Sequence, residues 1–190
     1  MRKQAIKFKK DTVIEVSFAS VKEDMQAQLF NEYFPKVMPI VGELGGQSLG
    51  SFKVTDSKTS LDDPQMCALF QWATLDDFKK LHADPRFLEI KHIRDDALSF
   101  FINGLFFTVE KDVEVEFNED ESYLLSALLE KTTSLNKEPL VNLSKAVVNS
   151  DKPFQPTNVR IDSLDDETAE QFNNPGSNAN LFKLIMNFPA

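Results

Sequence analysis

The chain has little cysteine, histidine or glycine. Its 190 residues include one cysteine, two histidines and six glycines. One cysteine cannot form an intramolecular disulfide, and its apolar surroundings predict that Cys67 is a small buried side chain rather than a nucleophile. Two histidines argue against a histidine-rich metal site. The glycines form neither a phosphate-binding loop nor a dinucleotide fingerprint. We therefore expect no cofactor.

Positive charge and long apolar runs are also scarce. The net charge of -9, from 21 basic and 30 acidic residues, argues against nucleic-acid binding. No apolar run approaches the ~20 residues of a membrane span, and the basic N-terminus lacks the apolar core of a signal peptide. We expect a cytoplasmic protein with neither a nucleic-acid nor a membrane partner. The basic residues 2–10 are expected to form a solvated arm, with contact to an anion or a partner left open.

Phenylalanine, in contrast, is abundant. The chain has 17 Phe residues beside one Trp and two Tyr. Phenylalanine needs no hydrogen-bond partner when it is buried, so this composition predicts a large aromatic core.

The first half of the chain alternates between strand and helix patterns. Apolar side chains alternate over residues 66–72, which predicts a strand with Trp72 and Cys67 on opposite faces. Thr74 and Asp84 are expected helix caps, the second followed by Pro85 at the first helical position. The predicted elements are strands over residues 13–18, 48–55, 66–74 and 100–109, a helix over 25–44 that Gly45 and Gly46 end, and a split helix after 74. This order, β-α-β-β-α-β, is the ferredoxin-like plan.

The second half looks like a degenerate repeat of the first. Residues 111–117 match 10–18 as an opening strand, and Ser163–Asp166 matches Thr74–Asp77 before a helix. We predict helices over 120–131 and 165–172, strands over 158–161 and 181–188, and either type over 140–148. A repeat at this spacing predicts an α+β protein of two tandem ferredoxin-like halves, residues 1–110 and 111–190.

The first half also resembles a known superfamily. The run Phe34–Val41 before the glycine pair, the strand 68–72 and the Asp84-Pro85 break between Phe78 and Arg94 are similar to the dimeric α/β-barrel superfamily. The resemblance covers residues 11–110 and is closest to small uncharacterised domains related to antibiotic biosynthesis monooxygenases. It implies two ferredoxin-like sheets packed face to face, usually from two chains. Here an intramolecular pseudo-dimer or a homodimer would supply both sheets.

The resemblance also allows this chain to be compared with the haem-degrading members of that superfamily. Their Asn on the first strand and their Trp and His on the second helix fall on Ser17 or Glu15, Leu81 and Lys91 of this chain. His92 lies one residue away, about 100° around the helix. All three positions differ, so the resemblance implies no haem chemistry.

The candidate site residues lie in the first half. His82, near the apolar face of its helix, is a candidate general base, with Asp84 able to orient it; the alternative is a core-edge histidine bonded to the backbone. Trp72 is a candidate pocket residue. Arg86 and Arg94 are candidates for binding a carboxylate, or else for ion pairs with Asp95, Asp96 or Glu89.

The opening strands add candidate carboxylates. Glu15 and Glu114 occupy matching positions, and if that face lined the barrel interior they could act as acid and base. The alternative is that they face water or pair with lysines.

Together these features predict a binding site for a small organic molecule. It would lie between the sheet and the helices of the first half. The enzymatic form of this prediction is a cofactor-independent oxygenase or isomerase, and the alternative is a non-catalytic binding or assembly protein.

Overall fold

The computed structural model describes residues 2–129, 137–146, 154–176 and 179–188. The strands are β1 Lys3–Phe8, β2 Val13–Val21, β3 Gly46–Lys58, β4 Met66–Trp72, β5 Leu98–Thr108, β6 Val113–Asn118, β7 Ser122–Leu128, β8 Val141–Lys145, β9 Asn158–Ser163 and β10 Ala179–Met186. The α-helices are α1 Gln26–Gln28, α2 Phe34–Glu43, α3 Leu75–Ala83, α4 Pro85–Ala97 and α5 Asp166–Asn173. A 3-10 turn, Glu23–Met25, precedes α1, and a π-helical turn, Leu29–Tyr33, joins α1 to α2.

Eight antiparallel strands close into a barrel within the one chain. Their order is β10-β3-β4-β2-β5-β8-β9-β7. Strands β2–β5 therefore lie in the order β3-β4-β2-β5, and β7–β10 lie in the order β8-β9-β7-β10. Pairing of β5 with β8 and of β3 with β10 joins the two groups. The fold is mixed α+β with a large antiparallel sheet. In the described residues, no helix is long and apolar enough to cross a membrane.

The barrel interior is a phenylalanine-rich core to which both groups of strands contribute. Phe18 of β2 stacks on Phe182 of β10 with ring centroids 4.6 Å apart. Cys67 and Leu69 of β4 point into this core, whereas Met66, Phe70 and Trp72 point out towards the helices. The predicted alternation in this strand is confirmed, as is the burial of Cys67, which raises the pKa of its thiol.

The predicted helix boundaries in the first half are also confirmed. The Thr74 side chain accepts a hydrogen bond from the Asp77 N–H at 3.3 Å, and the Asp84 carboxylate accepts one from the Arg86 N–H at 2.9 Å. Each cap satisfies an N–H that the first helical turn leaves without a partner. Gly45 has φ of +82°, the left-handed conformation that ends the preceding helix.

The predicted helix over residues 120–131 is wrong across its described part. Residues 122–128 form β7, which pairs with β9 and β10. Tyr123 and Leu125 enter the barrel core, while Leu124 packs under α5 with Phe172. A strand buried on both faces gives an apolar run without period-2 alternation, which periodicity cannot separate from a buried helix. Residues 130 and 131 lie outside the described residues.

The predicted opening strand of the second half has a different role. β6 pairs with β1 in a separate two-stranded ribbon. The basic N-terminal segment is thus a strand rather than a solvated arm, and Lys3 and Lys7 form ion pairs with Glu116 and Glu114. The ribbon packs Ile6, Phe8, Val115 and Phe117 against the barrel core. In the ambiguous segment 140–148, residues 141–145 form β8, and 147–148 lie outside the described residues.

Candidate functional site

A cavity of about 420 Å³ lies between the outer face of β2–β5 and the helices that cover it. Its wall is mostly apolar, with aromatic rings contributed by strands and helices alike. The polar and charged groups that reach it come from strands β2, β3 and β5, from the π-helical turn, and from helices α3 and α4. They are Glu15, Ser17, Tyr33, Ser48, Ser51, His82, Arg94 and Asn103.

Four of the five predicted site residues line this one cavity. They are Glu15, Trp72, His82 and Arg94. Arg86 lies outside the cavity, since its guanidinium forms ion pairs with Glu43 at 2.7 Å and Asp84 at 2.9 Å on the surface. Arg86 thus forms ion pairs, as the alternative had it, but with Glu43 and Asp84 rather than with the acids that were named as its partners.

Glu15 is a buried carboxylate whose two oxygens both accept hydrogen bonds. Glu15 is only 6% exposed. Its Oε2 accepts a hydrogen bond from Trp72 Nε1 at 3.1 Å, and its Oε1 accepts one from the Gly104 N–H at 3.1 Å. The side chain faces the helices rather than the barrel interior, and Glu114 lies on the surface ribbon, where it pairs with Lys7. The condition under which the two carboxylates could act together as acid and base is therefore not met, and Glu114 matches the alternative of a pair with lysine. Charge-assisted hydrogen bonds of this kind offset part of the cost of burying an ionised group.

A β-bulge in β5 makes the second of those hydrogen bonds available. Val16 pairs with Leu105 and Phe18 with Ile102, so Asn103 and Gly104 together oppose the single residue between them on β2. Gly104 has φ of +71°, a conformation that favours glycine. The extra residue turns its N–H out of the ladder and towards Glu15.

Trp72 is held by close packing as well as by its hydrogen bond. Gly46, directly opposite on β3, leaves room for the indole ring; a Cβ there would lie 2.7 Å from Trp72 Cζ3 and 2.6 Å from Val41 Cγ1. The ring also meets Phe78 edge-on with centroids 5.6 Å apart.

His82 sits in a row of aromatic rings along the cavity wall. Its ring centroid lies 4.5 Å from that of Phe78 and 5.1 Å from that of Phe87. The Asp84 carboxylate, considered as an orienting partner, instead accepts hydrogen bonds from the backbone and guanidinium of Arg86, which lower the pKa of that carboxyl.

Arg94 lies at the far end of this row. Its guanidinium is 4.7 Å from the Phe101 centroid and 5.7 Å from the Phe87 centroid, and its side chain is only 11% exposed. Nε and Nη2 both donate to the same Asp95 oxygen, at 2.9 and 2.6 Å. Tyr33 is the neighbouring polar group: burial raises the pKa of its phenol, and the nearby Arg94 charge partly opposes that rise.

The sequence interpretation missed several lining residues of the first helical segment. Leu29, Phe30 and Tyr33 come from the π-helical turn, and Phe30 is 51% exposed. π-helical turns recur at functional sites, but no residue pattern in this segment predicts one. The Asn103-Gly104 pair did carry a signal, because glycine inside a strand marks a bulge.

The site has no cluster of metal-ligand side chains. Among the residues that the structure describes, no group of three or more His, Cys, Asp or Glu could hold a metal ion.

Comparison with solved structures identifies the class of fold. An anthrone oxidase-like protein superposes with a TM-score of 0.52 at 10% identity, covering 93% of this chain and 92% of its own. A monooxygenase candidate from Lactobacillus acidophilus NCFM gives 0.49 at 9% identity, covering 93% and 94%. A mutant chlorite dismutase from Candidatus Nitrospira defluvii gives 0.47 at 8% identity, covering 93% and 92%.

The first of these, the anthrone oxidase-like protein, has the ferredoxin-like dimeric α/β-barrel fold, the class that the sequence resemblance implied. At these identities the likeness concerns the fold alone. No protein-family model matches the sequence, and no curated protein matches it.

Proposed function

We propose that the protein binds a small, largely apolar aromatic molecule in the cavity between the sheet and the helices. The observation that carries this proposal is the enclosure of Glu15, His82 and Arg94 by aromatic side chains in one space. Its volume of about 420 Å³ is within the ~300–1,000 Å³ typical of small-molecule sites, as is a mostly apolar wall with a few polar groups.

In the enzymatic form of this proposal, the protein is a cofactor-independent oxygenase or isomerase. His82 removes a proton from an acidic C–H or O–H of the bound molecule, and the low dielectric of the cavity strengthens every charge interaction with the resulting anion. An isomerase returns the proton to another atom. An oxygenase passes electrons to O₂, with the balance R₂CH₂ + O₂ → R₂C=O + H₂O.

The structural neighbour named as anthrone oxidase-like suggests a first substrate to try. An anthrone has an activated CH₂ between two aromatic rings, and this is the kind of acidic C–H that the proposed base requires. O₂ consumption with anthrone would be measured for the wild type and for His82→Gln. His92→Gln is the matched control, because His92 lies exposed on the outer side of α4.

We expect the loss of His82 to reduce the rate by about 10²- to 10⁴-fold, the usual contribution of a general base. The control should match the wild type. Equal rates for His82→Gln and the wild type would contradict the assignment of the base. Binding of anthrone without O₂ uptake or rearrangement would favour the non-catalytic alternative.

Binding itself can be followed with Trp72, the single tryptophan of the chain. An aromatic ligand in the cavity should quench its fluorescence. Ala68 lines the cavity and Ala83 is exposed at the end of α3, so Ala68→Phe should weaken binding and Ala83→Phe should not. Equal affinity in the two variants would show that the ligand binds outside the cavity, and this would contradict the proposal.

We also infer that the chain is an intramolecular pseudo-dimer, with halves 1–110 and 111–190 and a degenerate second half. The support is that each group of four barrel strands has the same order when it is numbered along the chain, second-third-first-fourth. One chain thereby supplies the two sheets that two chains usually supply. A monomer of 21.6 kDa in sedimentation equilibrium is the expected result, and an obligate homodimer would contradict it. A cytoplasmic location also remains a prediction.

A further inference from the structure

The charged groups of the cavity lie at different levels along β2. Glu15 pairs with Phe106, whereas Ala19, four residues further along β2, pairs with Phe101, over which Arg94 is stacked. Four residues of extended strand correspond to about 13 Å. The cavity therefore has an acidic level near Trp72 and a basic level near Phe101.

The basic level has one lining residue that is always charged, Arg94. Asp95 is the acid that Arg94 contacts, and Lys91 shares that carboxylate at 3.6 Å. Asp95 is therefore an exposed partner that Arg94 shares with Lys91. Both bonded nitrogens of Arg94, Nε and Nη2, donate to a single oxygen of Asp95, so the planar guanidinium still has N–H groups for a further acceptor.

The surroundings of Arg94 suit an aromatic ligand. The rings of Phe87 and Phe101 flank the guanidinium, and the Tyr33 phenol adds a hydroxyl donor on the same wall of the cavity. Because the Arg94 side chain is nearly buried, water competes weakly for its donors, and the attraction for an anion is stronger than at the surface.

We propose that the ligand is an aromatic oxyanion whose charged oxygens bind Arg94 and Tyr33 while its rings occupy the apolar part of the cavity. This inference rests on the proposed function and specifies its ligand class. This placement puts the ligand anion beside Arg94, at a level four residues along β2 from that of Glu15. It also predicts that the site distinguishes an anion from a neutral molecule of the same shape.

The test compares 1-naphthoate with 1-naphthamide, which has nearly the same shape and no charge. Calorimetry gives both dissociation constants, and Trp72 quenching reports whether each probe enters the cavity. We expect naphthoate to bind about ten- to a hundred-fold more tightly, the worth of charge-assisted hydrogen bonds. Arg94→Met, which keeps an apolar stem, should reduce the ratio to the several-fold preference that Tyr33 supplies. Arg86→Met is the matched control on the same helix.

The outcomes separate the two proposals. If naphthoate and naphthamide bind wild-type protein equally and quench Trp72, the oxyanion inference fails and the cavity proposal stands. If neither probe binds, both fail. A ratio that is the same in Arg94→Met as in the wild type also overturns the inference. Should Arg94→Met not fold, Tyr33→Phe provides the second variant, with an expected loss of several-fold for naphthoate alone, and an unchanged ratio there would contradict the role of Tyr33.

Discussion

Replacing Trp72 by Phe removes the indole N–H that donates to Glu15 while keeping a ring on the same face of β4. The donor and acceptor are 3.1 Å apart and both residues are buried. A hydrogen bond to a charged group contributes about 1.5–3 kcal/mol to stability. The smaller ring adds a packing cost that has nothing to do with Glu15.

A double-mutant cycle separates these two effects. Glu15→Met removes the carboxylate and keeps the length of the side chain, so Trp72→Phe in that background carries only the packing cost. We expect a coupling free energy of about 1.5–3 kcal/mol, because the cycle cancels every contact that Trp72 and Glu15 make separately. Urea unfolding followed by far-UV circular dichroism is the assay, since Trp72→Phe removes the only tryptophan.

The result that refutes this reasoning is a small coupling. Independent sites add to within ~0.3–0.5 kcal/mol, so a coupling below that limit would mean that the Trp72–Glu15 hydrogen bond does not stabilise the wall of the cavity. Glu15 would then be held by its other contacts, and Trp72 would serve the cavity only as an apolar surface.

Gly46→Ala should lower the free energy of unfolding by about 1–3 kcal/mol, because the new Cβ would overlap the indole ring of Trp72. Gly42→Ala is the control and should be neutral or stabilising, since a Cβ there meets nothing within 4 Å; equal urea midpoints for the two variants would contradict the packing argument. Asp162→Asn should lower the free energy of unfolding by about 3–5 kcal/mol, because it leaves the buried Arg160 without its ion pair, and the double variant Arg160→Met, Asp162→Leu should recover most of that loss. A mild effect of the single change would show that the pair is not buried in solution. Burial raises the pKa of both tyrosines, to about 12 for Tyr123, so the unfolded chain loses its phenol protons at a lower pH than the folded chain does. The free energy of unfolding should therefore keep its full value below pH ~10 and fall as the pH rises towards 12, and a constant urea midpoint over that range would contradict this.

The sequence predicted the first group of strands well because its local signals are independent and agree. β4 alternates strictly between the barrel core and the helices, and Thr74 and Asp84 are strong caps followed by apolar periodicity. β7 has no such agreement. Its run of leucines is buried on both faces, and only the pairing with β9 and β10 makes it a strand.

The matched segments 10–18 and 111–117 misled the assignment of the second half for a different reason. Both are strands, as predicted, but alternation shows only that a strand has one buried face. It does not specify which partner covers that face. The basic N-terminal strand pairs with the acidic β6 by charge and register, so β6 joins the ribbon and β7 takes the first barrel position of the second group.

The site was predictable to the extent that chemistry-bearing residues are rare in this chain. With one tryptophan and two histidines, Trp72 and His82 were the available candidates, and helix periodicity put His82 beside the apolar face. Arg86 and Arg94 could not be separated in this way. Two turns apart on one helix, they differ only in the tertiary contacts that place Arg94 over Phe101 and Arg86 beside Glu43.

The outer faces of the two strand groups explain why we propose only one site. β4 and β9 hold the same position in their groups, yet β4 presents Phe70 and Trp72 to the cavity whereas β9 presents Arg160 and Asp162. These two side chains are 6% and 0% exposed and bind each other through two hydrogen bonds, at 2.6 and 2.8 Å. Because the Asp162 oxygens already accept hydrogen bonds from Arg160, this ion pair has few groups available to bind a ligand. A buried ion pair is also an unsuitable wall for an apolar ligand, since covering it would remove still more solvent from the charges. The second group of strands thus contributes its inward face to the shared core. Substitutions in that group should affect ligand binding in the cavity only by changing the stability of the barrel.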